Sequence, residues 1–78
     1  MSRIRLSDLP IHTSGSVLHL ELSDVKKMRL EDLGICRDAK ITQIHTAPAG
    51  SPIAFVVKGA VIALRRDDCS KIMVEPDV

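Results

Sequence analysis

The chain has 78 residues, 45% of them apolar and 27% charged, the balance of a folded protein in a length too short for two independent cores. Eleven Lys and Arg against ten Asp and Glu leave a formal charge of +1, without the concentrated positive field that DNA-wrapping and membrane-surface proteins rely on. Trp and Tyr are absent and Phe55 is the single Phe, so neither the stacking of single-stranded bases nor the aromatic groove of a proline-helix reader is on offer.

One domain over residues 1–78 is therefore expected. No run of apolar residues is long enough to span a bilayer, and the opening Met-Ser-Arg-Ile-Arg-Leu-Ser-Asp-Leu-Pro lacks the apolar stretch of a secretory signal. Cys36 and Cys69 lie far apart, which reads as a pair of reduced thiols in the cytoplasm.

In chain order, Ile4 to Pro10 reads as an extended segment followed by one turn that Pro10 stops, because proline cannot donate to a continuing helix. From Ser16 to Leu22 the residues alternate, with Leu18, Leu20 and Leu22 on one face and His19 and Glu21 on the other, the period of a half-buried strand. Ser23 suits a helix N-cap, Asp24 favours the positive end of the helix dipole, and Gly34 supplies the left-handed residue that ends the helix. Between them Val25, Met28, Leu30 and Leu33 recur at helical spacing. Met28 and Leu30 stand about 160° apart on the helical wheel, so one of the two is expected to be exposed.

The second half is rich in strand-forming residues. Lys40 to Thr46 is β-branched, and its apolar spacing slips from two to three, the mark of a bulge. Ala47-Pro48-Ala49-Gly50-Ser51-Pro52 is a loop by composition. Ile53–Lys58 and Val61–Arg66 read as a hairpin turning at Gly59-Ala60. That register pairs Val57 with Ile62 and Phe55 with Leu64, and sets Ile53, Phe55, Val57, Ile62 and Leu64 on one face. A polar turn at Asp67–Ser70 leads to a last strand, Ile72–Val74. About five short strands with one short α-helix and tight turns predict an all-β fold, a small SH3-like β-barrel, whose closure removes sticky edges.

Three motifs extend this reading. Arg29-Leu30-Glu31-Asp32-Leu33-Gly34-Ile35, the loop Ala47–Pro52, and Val57-Lys58-Gly59-Ala60-Val61-Ile62-Ala63-Leu64-Arg65 together resemble the ferrous iron transport protein A (FeoA-like) family, with Ile72-Met73-Val74 as its closing strand. The stretch departs from the family pattern at Arg37-Asp38, where Pro-Gly is usual, at Ser51, where Asp is usual, and in the late position of Gly15. The resemblance implies an SH3-like, non-catalytic cytoplasmic accessory of ferrous iron uptake. Its partner would be the membrane ferrous iron transporter, which carries a cytosolic G-protein domain. A similar module ends some iron- and manganese-dependent repressors, so a metal-responsive SH3-like module binding a transition metal is the alternative.

The expected contact surface is the helix face with Met28 and Leu30 and the loop with Ala47, Pro48, Gly50 and Pro52. The two prolines stiffen that loop and Gly50 lets it turn, so its shape is preset before docking. Neither nucleic acid nor membrane insertion is expected, and self-association stays open.

For chemistry the sequence offers little. His12, His19 and His45 with Cys36 and Cys69 contain no short-spaced pair that fixes two metal ligands locally, so no metal site and no cofactor is assigned. Asp67-Asp68 is the one adjacent carboxylate pair, the glycines at 15, 34, 50 and 59 are scattered, and no nucleophile elbow or phosphate loop appears. No catalytic residue is assigned. Arg65-Arg66 reads as a strand-end charge pairing with Asp67 or Asp68, or else as an arginine offered to an acidic partner. Ala54, Val56, Val61 and Ala63 would form an apolar outer face of the hairpin.

Overall fold

The computed structural model describes residues 3–77. Strand β1 (Ile4–Arg5) runs into a single 3-10 turn at Leu6–Asp8. The turn closes through a bond from Leu9 N to the Leu6 carbonyl at 3.1 Å. Leu6 and Leu9 are both fully buried, so this turn is a plug of the core rather than a tail.

Strand β2 (Ser14–Leu20) begins two residues earlier than the alternation predicts and ends two earlier. Its register against the last strand, β6 (Ile72–Pro76), slips between Val17 and His19. Leu18 is the extra residue, and a bulge of this kind turns the strand beyond it. Val17 and Leu20 therefore point into the core, Leu18 is half-buried, and Leu22 lies past the strand. The expected Leu18–Leu20–Leu22 face does not exist, because alternation defines a face only along an unbroken strand.

Helix α1 (Asp24–Asp32) has the predicted boundaries. Ser23 Oγ accepts from Lys26 N at 3.4 Å. At the far end Ile35 N reaches the Leu30 carbonyl at 2.9 Å and Gly34 N the Glu31 carbonyl at 3.0 Å, with Gly34 at φ 99°. Those two bonds and the left-handed glycine form a complete Schellman cap. Leu30 is the only buried residue of the helix, and Val25 and Met28 are 67% and 64% exposed. The helix thus hangs on the sheet by one apolar anchor.

Strand β3 (Lys40–Thr46) carries the expected bulge, its register with β4 (Ile53–Val57) shifting between Gln43 and His45. Ile41 faces the core, and so does Gln43. The Gln43 side-chain amide donates to the Leu9 carbonyl and accepts from Thr46 Oγ1 at 2.7 Å. A buried polar group needs such partners, and here they fasten the N-terminal turn to β3.

Strand β5 (Ala60–Leu64) pairs with β4 in a register that differs from the predicted one. Val57 faces Ala60, Phe55 faces Ile62 and Ile53 faces Leu64. The turn is Lys58-Gly59, with φ 51° and 81°, not Gly59-Ala60. Two left-handed residues give the type I′ turn, whose twist suits a hairpin. The displacement is two positions, so the inward set is unchanged: Ile53, Phe55, Val57, Ile62 and Leu64 are all buried.

The expected polar turn after β5 is a short helix, α2 (Arg66–Cys69), and β6 extends to Pro76. The strand order is β1-β6-β2-β3-β4-β5, antiparallel throughout. Among the described residues six strands replace the expected five, the additional one being β1. Residues from every strand but the two-residue β1 meet in one buried cluster that includes Val17, Ile41, Phe55, Leu64 and Ile72.

Candidate docking surface

The Ala47–Pro52 loop closes on itself, Ala47 N reaching the Pro52 carbonyl at 3.0 Å and Gly50 N the Ala47 carbonyl at 2.8 Å. Gly50 sits at φ 88°, a conformation glycine adopts without strain. Pro48 and Pro52 are exposed, while Ala47 and Gly50 are half-buried. Arg66, the first residue of α2, holds the loop from outside. Its N–H donates to Ser51 Oγ at 3.1 Å and its Nη1 to the Gly50 carbonyl at 3.1 Å. Ser51, where the family pattern has Asp, thereby supplies the acceptor that the first turn of α2 needs.

From α2 the surface continues to α1. Lys26 Nζ meets Asp68 Oδ1 at 3.1 Å, an exposed pair of the kind worth roughly 0–1 kcal/mol. Between α1 and the end of β5 lies a groove of about 370 Å3, lined by Lys26, Arg29 and Leu30 on one side and Ala63, Leu64 and Arg65 on the other, with Asp68 at its end. The structure thus joins α1, α2 and the 47–52 loop into one hydrogen-bonded series.

Of the two helix residues singled out by sequence, Met28 is exposed and Leu30 is 8% exposed. Met28 stands one turn from Val25, so the two make an apolar patch on the outer side of α1. Leu30 sets the position of the helix from beneath. Arg65 and Arg66 do not pair with Asp67 or Asp68: Arg66 holds the loop, and Arg65 borders the groove. The outer hairpin face is divided, with Ala54 and Val56 half-buried and Val61 and Ala63 exposed.

The metal-binding side chains are dispersed. Among the described residues no group of three or more His, Cys, Asp and Glu comes close enough to hold an ion. His19 Nε2 lies 3.0 Å from Glu21 Oε1 on an exposed strand end. Cys36 Sγ donates to the Gly34 carbonyl at 3.7 Å. Cys69 is fully buried, and its pKa is pushed up to about 12, mainly by burial and further by Asp68, against the pull of Arg66. A thiol so protonated at neutral pH is neither a nucleophile nor a ready metal ligand.

Sequence patterning does not reveal the clasp of Arg66 on Gly50 and Ser51, nor the Lys26–Asp68 pair. Both join residues far apart in the chain through polar atoms that carry no periodic signal.

A curved antiparallel sheet wrapped on one core, with a helix inserted between β2 and β3, defines a small SH3-like barrel. Within that class the chain belongs to the FeoA domain family, whose profile matches residues 4–76. A curated relative from Porphyromonas gingivalis, an Fe(2+) transport protein A/Fe(2+) transporter FeoB fusion protein, is 29% identical over 72 residues, which are 92% of this chain. The chain spans only 8% of that relative's length. The FeoA protein of Chlorobium tepidum superimposes with a TM-score of 0.93 at 29% identity, over 96% of this chain and 71% of that one. FeoA of Stenotrophomonas maltophilia, described as a prokaryotic SH3 domain protein and solved with zinc, gives 0.80 at 28% identity, over 92% of this chain and 89% of that one. A manganese-dependent transcriptional repressor gives 0.87 at 15% identity over 99% of this chain and 42% of its own, a likeness of fold alone. Among the described residues no helix is long and apolar enough to cross a membrane.

Proposed function

We propose that this chain is a non-catalytic cytoplasmic accessory of ferrous iron uptake that docks on the cytosolic G-protein part of the membrane ferrous iron transporter. Support comes first from the relative in which an A-type segment and the transporter share one polypeptide. Covalent linkage in one organism is what a working contact between separate chains in another would lead one to expect. The docking surface is α1 with Met28 outermost, positioned by Leu30, and the preset loop with Ala47, Pro48, Gly50 and Pro52. Exposed apolar side chains within a polar rim match the make-up of a protein interface. Binding alters the transporter only through a difference in affinity between its conformations.

Binding of the purified chain to the full-length transporter in detergent or nanodiscs, with and without guanine nucleotide, tests the reading. A complex is expected, weakened by Met28→Glu and by Pro48→Gly, both on the surface and neutral to the core. No association in any nucleotide state overturns it. Unchanged binding by both variants discards this surface while retaining the partner. The metal-responsive alternative has the repressor-like fold in its favour, and calorimetry with ferrous iron under anaerobic conditions separates it from docking.

A further inference from the structure

Strand β5 ends the sheet. Val57 and Ala60 flank the two-residue turn, which makes them a hydrogen-bonded pair, and the alternation of an antiparallel ladder then assigns Ile62 and Leu64 to bonded pairs as well. The N–H and carbonyl groups of Val61 and Ala63 consequently point away from β4. No described backbone group outside the strands bonds to either residue.

Edges are ordinarily blunted by charge, proline, a bulge or a covering segment. Ala60-Val61-Ile62-Ala63-Leu64 has no charge and no proline, and its pairing with β4 is unbroken. Its outward side chains, Val61 and Ala63, are exposed. The groove between Ala63–Arg65 and α1, about 370 Å3, has the size of a small binding pocket.

The charges that line this groove outside the Lys26–Asp68 pair are of one sign. Among the described residues Lys26 is paired with Asp68, while Arg29, Arg65 and Lys58 form no ion pair. Arg29 and Arg65 border the groove, and Lys58 stands at the other end of the strand in the turn. We propose that β5 and this groove take an extended acidic segment of a partner protein as a seventh strand, with its carboxylates on Arg29 and Arg65.

Main-chain bonds to Val61 and Ala63 would give the affinity, and the two guanidiniums would select for acidic side chains. A second copy of the chain is the poorer occupant. Its β5 edge, Ala60-Val61-Ile62-Ala63-Leu64, carries no carboxylate to meet Arg29 and Arg65, and two such edges would bring the Arg65 guanidiniums of both copies to one seam. The inference stands whichever protein supplies the strand, so it does not depend on the ferrous iron reading.

The test is titration of the full chain with a short fluorophore-labelled peptide of alternating Glu and Val, alongside its Lys-Val counterpart, followed by anisotropy and by amide resonances. The acidic peptide is expected to bind, to weaken with salt, and to shift the Val61 and Ala63 amides most. Replacing both arginines, Arg29→Gln with Arg65→Gln, is expected to weaken it about tenfold. Thermal melts of the variant check that it folds. Three results would each overturn the proposal: equal binding of both peptides, no binding of either, or shifts away from β5. A concentration-dependent dimer perturbing the same amides without peptide would assign the edge to self-association instead.

Discussion

The Gly50 carbonyl accepts a hydrogen bond from Arg66 Nη1 at 3.1 Å, while the backbone N–H of the same arginine rests on Ser51 Oγ. One residue of α2 therefore sets the shape of a loop that is distant in sequence. Arg66→Ala and Ser51→Ala should each lower stability by about 0.5–1.5 kcal/mol. Their more specific effect is on the loop: the Gly50 amide, bonded to Ala47, should exchange faster with solvent while core amides are unaffected. Unchanged exchange at Gly50 in the double variant would show that the loop holds itself.

Gly15 meets a steric limit rather than a conformational one. A Cβ there would lie 2.9 Å from the Glu75 carbonyl oxygen, part of the backbone of β6. Gly15→Ala should force β2 and β6 apart and destabilise by about 1–3 kcal/mol. Urea denaturation, with Ser16→Ala as control, gives the comparison; an unchanged midpoint would refute the close approach.

Lys58 occupies the left-handed region at φ 51°, which disfavours a side chain by roughly 1–2 kcal/mol. Asn tolerates this conformation better, so Lys58→Asn should raise the melting temperature. Ala60→Asn should not. A turn at Gly59-Ala60 would reverse the two results, so the pair of variants reads the register in solution.

Cys69 links stability to alkaline pH. Its pKa is raised from the ordinary 9.0 to about 12, so the folded chain keeps a proton that the unfolded chain releases. The resulting stabilisation is complete below pH 9 and is lost as pH rises from 9 toward 12, by at most about 1.4 kcal/mol per pH unit. Cys69→Ala should flatten that decline in denaturation curves, although its overall stability falls. Alkylation should reach half-buried Cys36 well before Cys69.

The residues that name a face or a cap are legible in the chain: the inward set of the hairpin, Ser23 and Gly34 at the ends of α1, and the slipped spacing that marks the β3 bulge. Leu18, Leu20 and Leu22 mislead because they alternate without fault, while the bulge beside Leu18 answers to β6 and not to local spacing. Gln43 is buried against the rule for polar residues, since its amide is satisfied by Leu9 and Thr46, and Leu9 is nowhere near it in sequence. Of the candidate docking surface, the turn at Gly50 and the exposure of one of Met28 and Leu30 could be read in advance. Which one is exposed depends on how α1 leans on the sheet, and the ties of α2 to loop and helix are tertiary.

The hairpin obeys a rule of parity. Its strands can be offset by two positions without turning any side chain from the interior to the solvent, so a shift of that size leaves the burial pattern unaltered. An offset of one would turn Phe55 or Ile62 outward, so a single residue added at this tip has to be absorbed by a longer loop or a bulge, as the extra residues of β2 and β3 are.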